Sequence, residues 1–237
     1  MLTNASTGFL IATRNAHKVG EIRAILGSHY RYLTLADFPD APKVIEDAPT
    51  FAGNATKKAV ELAKWLSSTR NLKLETRNLF VLADDSGLEV DALNGAPGVH
   101  SARFAALDSG KPDNSPDADN NAKLLRLLKD VPKEKRTARF RCVIALTPAQ
   151  HVARNTEHES SSPVCFADEL EMLTEVFDGT CEGWMNVAPR GQGGFGYDPL
   201  FIPNGYEQSF AELGEEIKNR LSHRSKALAK LKAKLAK

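Results

Sequence analysis

Short apolar runs alternate with amphipathic segments along most of the chain. Residues 8–13 and 78–83 are apolar runs of the length that predicts buried strands. From His17 the apolar residues recur every three or four positions, which predicts a helix. Residues 54–66 predict a second helix with Asn54 near its N-cap. This alternation of strands and helices predicts an α/β fold.

The rest of the chain continues the alternation, without an internal repeat or a long low-complexity tract. We expect a single domain over residues 1–237, because a chain of this length suffices for one substantial core. The other predicted elements are a strand at 32–35, a loop over 106–120, a helix over 121–131, a strand over 137–146, a surface excursion near 150–170, a strand pair over 176–187 around Gly179 and Gly183, and a final helix capped by Ser222.

Composition and charge exclude several classes of protein. Hydrophobic residues make up 42% of the chain and charged residues 26%, as in ordinary soluble enzymes. No apolar run approaches the length of a membrane span, and no basic region precedes the first apolar run, so we expect neither a membrane segment nor a secretory signal. The formal net charge of +1 gives no global attraction to polyanions, so we expect no nucleic-acid partner.

The three cysteines, Cys142, Cys165 and Cys181, are scattered and odd in number. Without a C-x-x-C pair they predict neither a zinc site nor a disulfide framework. Reduced thiols are typical of the cytoplasm, which is the location we expect.

Two neighbouring carboxylates, Asp84 and Asp85, follow the apolar run at 78–83 and precede a predicted turn at residues 86 and 87. Adjacent side chains of a strand point to opposite faces, so at most one of the two is expected to bind a ligand. Ligands of α/β folds collect at the carboxyl ends of strands, and a carboxylate there suits Mg²⁺. The alternative is a turn in which Asp caps backbone N–H groups.

Residues 12–18 form a strand-to-helix junction that resembles an anion site. A helix N-terminus offers N–H groups and the positive end of the helix dipole to a phosphate. Thr13 and Asn15 can add hydrogen bonds, and Arg14 and Lys18 add positive charge. The segment lacks the glycines and the Gly-Lys-Ser/Thr of a P-loop. The alternative is an ordinary capped helix with solvated basic side chains.

A glycine-rich loop occupies residues 189–201, and three of its glycines match G-x-G-x-x-G. The prolines that follow prevent the helix that a dinucleotide site needs. The segment therefore predicts a loop that approaches a ligand closely, with Phe195 and Tyr197 able to stack on a base. The alternative is a tight turn with both rings in the core.

His223 and Arg224 fall in the first turn of the last predicted helix. Positive charge there opposes the helix dipole at a cost of about 0.3–1 kcal/mol. The pair therefore indicates an anion or a polar base bound at this helix start.

Five segments carry a resemblance to a known family. They are "ATRNAHKVGEI", "LADDSGLEVDALNGAPGVHSARF", "RFRCVIAL", "PRGQGGFGYDPLFIP" and "FAELGEEIKNRLSHRSKAL". In this order, and spanning nearly the whole chain, they resemble the inosine triphosphate pyrophosphatases, also called XTP/dITP pyrophosphatases.

The resemblance implies an α/β fold with a mixed twisted sheet flanked by helices, two lobes with a substrate cleft between them, and a homodimer. It implies Mg²⁺-dependent hydrolysis of ITP, dITP and XTP to the monophosphate and pyrophosphate. Asp85 would be the catalytic carboxylate and a metal ligand, and Glu46 the second metal ligand. The residues implied to bind the substrate are Thr13, Arg14, Asn15, Ala16, His17, Lys18, Ser86, Phe195, Gly196, Tyr197, Asp198, Lys218, His223 and Arg224.

Base choice would follow from the oxygen at C6 of hypoxanthine and xanthine, where adenine has an amine. Arg224, His223 or backbone N–H groups near Gly196 would donate hydrogen bonds to this oxygen and leave adenine unpaired, which discriminates by roughly 10⁴. Guanine shares this oxygen and would have to be refused at C2.

The chain departs from the family pattern at Gly53, where an acidic residue is common, and in the length of its excursion near 150–170. Three alternative functions stay open: a nucleotide-binding protein with weakened catalysis, a hydrolase of pyrimidine nucleotides, and a nucleic-acid module that uses the lysine-rich last helix.

Overall fold

A six-stranded mixed sheet lies at the centre of the computed structural model, which describes residues 7–68, 78–110, 113–149 and 169–236. The strands lie in the order β2-β1-β3-β4-β5-β6. β1 is parallel to both β2 and β3, whereas β3 to β6 pair antiparallel with one another. Their bounds are β1 (Gly8–Ile11), β2 (Arg31–Thr34), β3 (Leu79–Val90), β4 (Thr137–Pro148), β5 (Glu175–Met185) and β6 (Phe201–Pro203).

Helices cover both faces of this sheet, so the predicted α/β fold with a mixed sheet flanked by helices is confirmed. The two-lobe arrangement and the single domain stay predictions. The helices are α1 (Ala16–Leu26), α2 (Phe51–Ser68), α3 (Asp117–Leu127), α4 (Glu169–Met172), α5 (Phe210–Leu221) and α6 (His223–Leu235). Among the described residues, no helix combines the length and apolar character needed to cross a membrane.

Each face of the sheet has its own core. On one face, α2 packs on β3 and β4 around buried residues such as Val81 and Ala83. On the other face, α1 and α6 pack around residues such as Leu82 and Ile144. A third cluster lies at the β5–β6 side, where Leu124 of α3 meets Phe201 and its neighbours. Successive side chains of β3 point to opposite faces of the sheet, so neighbouring residues of this strand contact different helices.

β3 differs from its prediction, because it continues through both carboxylates to Val90 and residues 86 and 87 form no turn. The continuation is explained by β4, which pairs with β3 along its length, and by renewed burial at Leu88 and Val90. The strand that ends here is β1, whose pairing with β3 stops at Leu82. The carboxylates thus lie in the middle of one strand, beside the carboxyl end of its neighbour.

The bounds of β5 and α2 also differ from those predicted. β5 is one strand and not a predicted pair, because it pairs continuously with β4, and Gly179 lets the backbone of α6 at His223 approach closely. α2 begins at Phe51, so Asn54 is inside its first turn and its Oδ1 accepts from Ala48 N at 2.9 Å.

Two further predictions concern the segments between the strands. α3 begins at Asp117, within the predicted loop, and most of the predicted excursion, residues 150–168, lies outside the described residues. The Ser222 cap of α6 is confirmed, because its side chain accepts from Ser225 N.

Candidate functional site

Asp84 and Asp85 point to opposite faces of the sheet, as the strand pleat predicted. Asp84 contacts Lys18 of α1 and Arg224 of α6, whereas Asp85 lies near Lys58 of α2. Both carboxylates are buried, at 1% and 6% exposure. The two faces hold ion-pair clusters of different composition, and this difference separates the roles of the two residues.

Asp84 is fully engaged by its neighbours. Its Oδ1 is ion-paired with Lys18 Nζ, and its Oδ2 accepts from Arg224 Nε at 2.9 Å and from Cys142 Sγ at 3.1 Å. Burial alone would raise the pKa of Asp84, but Arg224 and Lys18 hold it well below its usual range. Burial lowers the pKa of Lys18, yet the attraction of Asp84 outweighs it and the pKa is raised. Asp84 is therefore a charged structural anchor.

The network extends from Arg224 to Glu21, Lys218 and Asp198. Arg224 Nη1 is ion-paired with Glu21, and Lys218 Nζ lies 2.9 Å from Glu21 Oε1 and 2.6 Å from Asp198 Oδ2. Burial favours a neutral Glu21, but Arg224 and Lys218 lower its pKa below the usual value. Among the described residues of this network, the carboxylates of Asp84, Glu21 and Asp198 are matched in number by the cations Lys18, Arg224 and Lys218.

The Asp85 face holds one more carboxylate than cations among its ion pairs. Lys58 Nζ lies 3.8 Å from Asp85 Oδ1 and 3.2 Å from Glu46 Oε2, and donates to the Asp84 backbone oxygen at 2.7 Å. Burial raises the pKa of Asp85 to about 6, against the opposing attraction of Lys58 and Lys18. Among the described residues the buried Asp85 Oδ2 and the buried Asn54 Nδ2 make no hydrogen bond, although the Asn54 side chain lies near enough to oppose the rise in the pKa of Asp85. Asp85, unlike Asp84, therefore has capacity for a further ligand.

The residues around Asp85 fit a Mg²⁺ ion. Mg²⁺ usually takes one or two protein carboxylates and completes its shell with water and substrate phosphates. Asp85 and Glu46 lie within 4 Å of the same ammonium group, and Asp85 Oδ2 has no protein partner among the described residues. Within the same residues no group of three or more acidic, His or Cys side chains forms a cage. Asp85 and Glu46 therefore suit a cation whose remaining ligands come from a bound phosphate.

At the predicted phosphate junction, residues 12–18, internal hydrogen bonds occupy some of the donors that were expected to bind an anion. Asn15 caps α1, and its Oδ1 accepts from His17 N at 2.9 Å and from Lys18 N at 3.2 Å. Two of the N–H groups predicted to be free for an anion are thus occupied. Thr13 Oγ1 accepts from Asn15 N at 3.1 Å, so the hydroxyl hydrogen remains for a ligand. Arg14, Asn15, Ala16 and His17 are exposed, and they leave the junction accessible.

In the glycine-rich loop, only one of the two predicted stacking rings is available. Phe195 is half-buried, stacks on the His17 ring at 5.3 Å between centroids, and has Lys218 Nζ 4.2 Å from its centroid. Tyr197 instead lies in the core, and its hydroxyl donates to Ser101 O at 2.9 Å. The interpretation of Tyr197 as a stacking residue is wrong, because its ring is covered by protein.

The backbone N–H groups of this loop are not available to a base oxygen either. Gly196 N donates to Asp117 Oδ2 at 2.6 Å, and Phe195 N donates to Asp198 Oδ2 at 2.9 Å. The prediction that an N–H near Gly196 recognises the C6 oxygen is therefore wrong for these two groups.

His223 does not supply the positive charge that the sequence suggested. Its ring is buried and stacks on Phe140 at 4.8 Å between centroids. Burial, with the nearby cations Arg224 and Lys218, depresses the pKa of His223 well below its usual value, so the ring is neutral. Of the pair His223 and Arg224, Arg224 carries the charge, and Asp84 and Glu21 offset it.

Ser86 joins the Asp84 cluster. Its Oγ donates to Asp84 Oδ1 at 3.0 Å and accepts from Arg224 Nη2 at 2.9 Å. The predicted residues Lys18, Ser86, Asp198, Lys218 and Arg224 are thus brought together on one face, and Asp85 and Glu46 on the other.

Sequence reasoning missed Lys58 and Glu21. Lys58 lies on the buried side of α2, four positions after Asn54, and Glu21 lies on α1 one turn after Lys18. For Lys58 the available signal was a charged residue at a position where the helical period requires an apolar one, whereas Glu21 lies outside the apolar positions of α1 and gives no such signal.

Gly53 lies in a surface groove whose lining includes neither Asp85 nor Glu46. The groove, of about 550 Å³, runs along α2 and is also lined by residues such as Thr56 and Lys64. A Cβ atom at Gly53 would meet Ala48 Cβ at 2.8 Å. The departure at Gly53 thus alters the packing of the segment before α2.

Comparison with known proteins gives a consistent result. A model of the Ham1 family matches residues 9–234. A dITP/XTP pyrophosphatase of Geobacillus kaustophilus is 45% identical over 224 residues, which cover 94% of this chain and 91% of that protein. A dITP/XTP pyrophosphatase of Desulforamulus reducens is 44% identical over 222 residues, which cover 93% and 92%.

Solved structures agree with these matches. A HAM1 protein from Coxiella burnetii superimposes with a TM-score of 0.73 at 32% identity, covering 97% of this chain and 98% of that one. A nucleoside-triphosphatase or dITP/XTP pyrophosphatase from Mycobacterium abscessus has a TM-score of 0.62 at 38% identity, covering 94% and 98%.

Proposed function

The chain belongs to the Ham1 family, and from this premise we propose that it is a nucleoside triphosphate pyrophosphatase. The substrates are deaminated purine nucleotides, ITP, dITP and XTP, and the products are the monophosphate and pyrophosphate. The observation that carries this proposal is the Asp85 face, where a buried carboxylate lies beside Lys58 and Glu46 and its Oδ2 makes no hydrogen bond to any residue that the structure describes. Enzymes of this class remove damaged nucleotides from the pool before polymerases use them.

The triphosphate is bound where the end of β1 meets the middle of β3. Arg14 and the Thr13 hydroxyl are accessible at the junction, and Lys18 Nζ reaches Asp84 from α1. Lys58 approaches from the opposite face. Positive charge from both sides offsets the charge of the phosphates, which is the main protein contribution in phosphoryl transfer.

Asp85 orients a water molecule and accepts its proton as the water attacks the α-phosphorus. The bond between the α-phosphorus and the bridging oxygen breaks, and the electron pair leaves with pyrophosphate. Lys58 keeps Asp85 ionised by its charge, because the burial of this carboxyl alone favours its protonated form. Asp85 and Glu46 would hold Mg²⁺, which when bound supplies charge neutralisation to the phosphate oxygens.

The base binds at Phe195, because Tyr197 of the same loop is buried whereas the Phe195 ring is only half-buried, with His17 stacked on it. Lys218 has three N–H groups, of which Asp198 and Glu21 accept two, and one remains for the C6 oxygen of the base. Most of the Arg224 donors are engaged by Asp84, Ser86 and Glu21, so Arg224 acts chiefly by holding the cluster.

The nucleic-acid alternative is disfavoured by the surface of α6. Two of its lysines pair with carboxylates of β5, with Lys230 Nζ 2.5 Å from Asp178 and Lys234 Nζ 2.7 Å from Glu175. Phosphate binding by this helix would have to break these pairs. We also propose a homodimer, which the family resemblance implies, and a cytoplasmic location, which the free thiols of Cys142 and Cys181 favour.

A substrate panel tests the proposal. The purified protein is incubated with Mg²⁺ and dITP, XTP, dGTP, dATP or dUTP, and pyrophosphate and orthophosphate are measured separately. We expect pyrophosphate from dITP and XTP and little from the others. Orthophosphate as the primary product would place the attack at the γ-phosphorus. Turnover of dUTP alone would support the pyrimidine hydrolase, and tight binding without turnover would support the weakened nucleotide-binding protein.

A further inference from the structure

Helix α3 holds the residue next to Phe195 from two sides. Gly196 N donates to Asp117 Oδ2 at 2.6 Å, and Asn121 Nδ2 donates to Gly196 O at 2.9 Å. Asp117 and Asn121 are four residues apart, so they lie on the same side of the helix. Gly196 itself has a φ of +62°, in the left-handed region that favours glycine. One helix face thus fixes both polar groups of a residue with unusual backbone geometry.

The residues on either side of Gly196 are tied down as well. Phe195 N donates to Asp198 Oδ2 at 2.9 Å, and the Tyr197 hydroxyl donates to Ser101 O at 2.9 Å. These bonds hold the loop on either side of Gly196, whereas the Phe195 ring is half-buried and lies against His17, Lys218 and Arg224. The direction of this ring therefore depends on the backbone at residues 195–197.

α3 is a firm support for such a contact. Leu124 is fully buried in the core, and Asn120 Oδ1 accepts from Ala105 N at 2.8 Å. Lys123 Nζ donates to Phe104 O at 2.7 Å. The helix is thus attached to the same segment, residues 98–105, that accepts the Tyr197 hydroxyl. A carboxylate acceptor such as Asp117 makes a stronger hydrogen bond to a backbone N–H than a neutral acceptor does.

We propose that Asp117 and Asn121 are positioning residues of the base site, which set the plane of Phe195 through Gly196 without touching the nucleotide. The inference rests on the proposed function, because it assigns Phe195 to the base. A binding site works less well when the contacts that position its residues loosen. A displacement of about 1 Å can lower the reaction rate on the order of 100-fold. Asp117 and Asn121 therefore act on base affinity more than on phosphate affinity.

The test compares Asp117→Ala and Asn121→Ala with Asp119→Ala, an exposed acidic residue in the same helical turn as Asp117. The measurements are KM and kcat for dITP, the inhibition constant of IMP, which carries the base, and that of inorganic tripolyphosphate, which does not. We expect both variants to raise KM and the IMP constant about tenfold, while the tripolyphosphate constant stays within about twofold. Asp119→Ala should match the wild type.

Asp117→Asn separates positioning from folding, because its amide oxygen can still accept from Gly196 N. It should restore part of the IMP affinity that Asp117→Ala loses. Unchanged IMP affinity in both alanine variants would overturn the inference, and so would an equal loss of tripolyphosphate and IMP affinity. If the wild type releases no pyrophosphate from dITP, the proposed function itself fails and the inference falls with it, a result distinct from the first two.

Discussion

The Arg224 guanidinium is bound to the Asp84 carboxylate, with Nε 2.9 Å from Oδ2, although the two residues are 140 positions apart. Both side chains are buried, at 1% exposure each. The pair joins α6 to the middle of the sheet and fixes the charge of Asp84, which leaves Asp85 as the carboxylate that can change its protonation or bind a cation. Two adjacent acidic residues thus have separate tasks, one structural and one chemical.

Asp84→Ala is expected to destabilise the fold strongly. It leaves Arg224 and Lys18 buried without their carboxylate, and the loss of one partner of a buried ion pair costs about 3–5 kcal/mol. Urea denaturation measures the loss. Asp178→Ala is the matched control, because it removes an exposed ion pair to Lys230 and should cost no more than about 1 kcal/mol. Equal losses in the two variants would contradict the anchoring role of Asp84.

Asp85 makes the apo-protein less stable as pH rises. Its pKa is raised from 3.8 to about 6 in the folded state, so the folded protein binds this proton more tightly than the unfolded chain does. The stability that this proton contributes to the folded protein is fully present below about pH 4. It is lost as pH rises through about 6, and the free energy of unfolding falls by up to about 3 kcal/mol.

The measurement is the free energy of unfolding of wild type and Asp85→Asn between pH 4 and pH 7.5, in the presence of EDTA. Asp85→Asn should gain stability relative to wild type across this range, and the difference should shrink when Mg²⁺ replaces EDTA. A difference that does not vary with pH would show that the pKa of Asp85 is the same in the folded and the unfolded protein.

The strands and helices that the hydrophobic pattern predicted are largely present, because burial of one face dictates the period of each element. The pattern could not locate the end of β3. A strand normally stops at paired charges, but here Lys58, Lys18 and Arg224 arrive from three distant helices and make the carboxylates tolerable inside the sheet. Tertiary contacts of this kind leave no local signal.

The candidate site was also only partly predictable, because it too depends on tertiary contacts. The motifs around Lys18, Phe195 and Arg224 identified segments that the fold does bring near Asp84 and Asp85. What the sequence could not show is which polar groups the protein uses internally, such as Gly196 N bound to Asp117, or the neutral ring of His223 in the core. These assignments depend on contacts between residues far apart in the chain.

Lys58→Met is expected to lower kcat/KM at least tenfold and to shift its pH dependence. Lys58 is the nearest cation to Asp85 and opposes the rise of its pKa. Without it, Asp85 stays protonated to higher pH, so the ascending limb of the kcat/KM profile moves to higher pH. Lys57→Met is the control, because this neighbouring lysine pairs with Asp47 on the surface. An unshifted profile in Lys58→Met would remove Lys58 from the site.

Phe195→Leu is expected to weaken base binding while the fold persists. A base stacked on an aromatic ring gains about 1–3 kcal/mol, so the loss of the ring should raise KM for dITP by roughly tenfold or more. Phe195→Tyr keeps the aromatic face and should stay near the wild type. Both variants are compared by steady-state kinetics with dITP.

Tyr197→Phe supplies the contrasting control on the same loop. It removes the hydroxyl bond to Ser101 O but no stacking face, so it should cost about 1 kcal/mol of stability and leave KM nearly unchanged. If Tyr197→Phe raised KM as much as Phe195→Leu, the loop would act through its general order and not through the Phe195 ring. If Phe195→Leu kept its KM, the base would have to stack elsewhere, and the assignment of residues 195–198 to base recognition would fail.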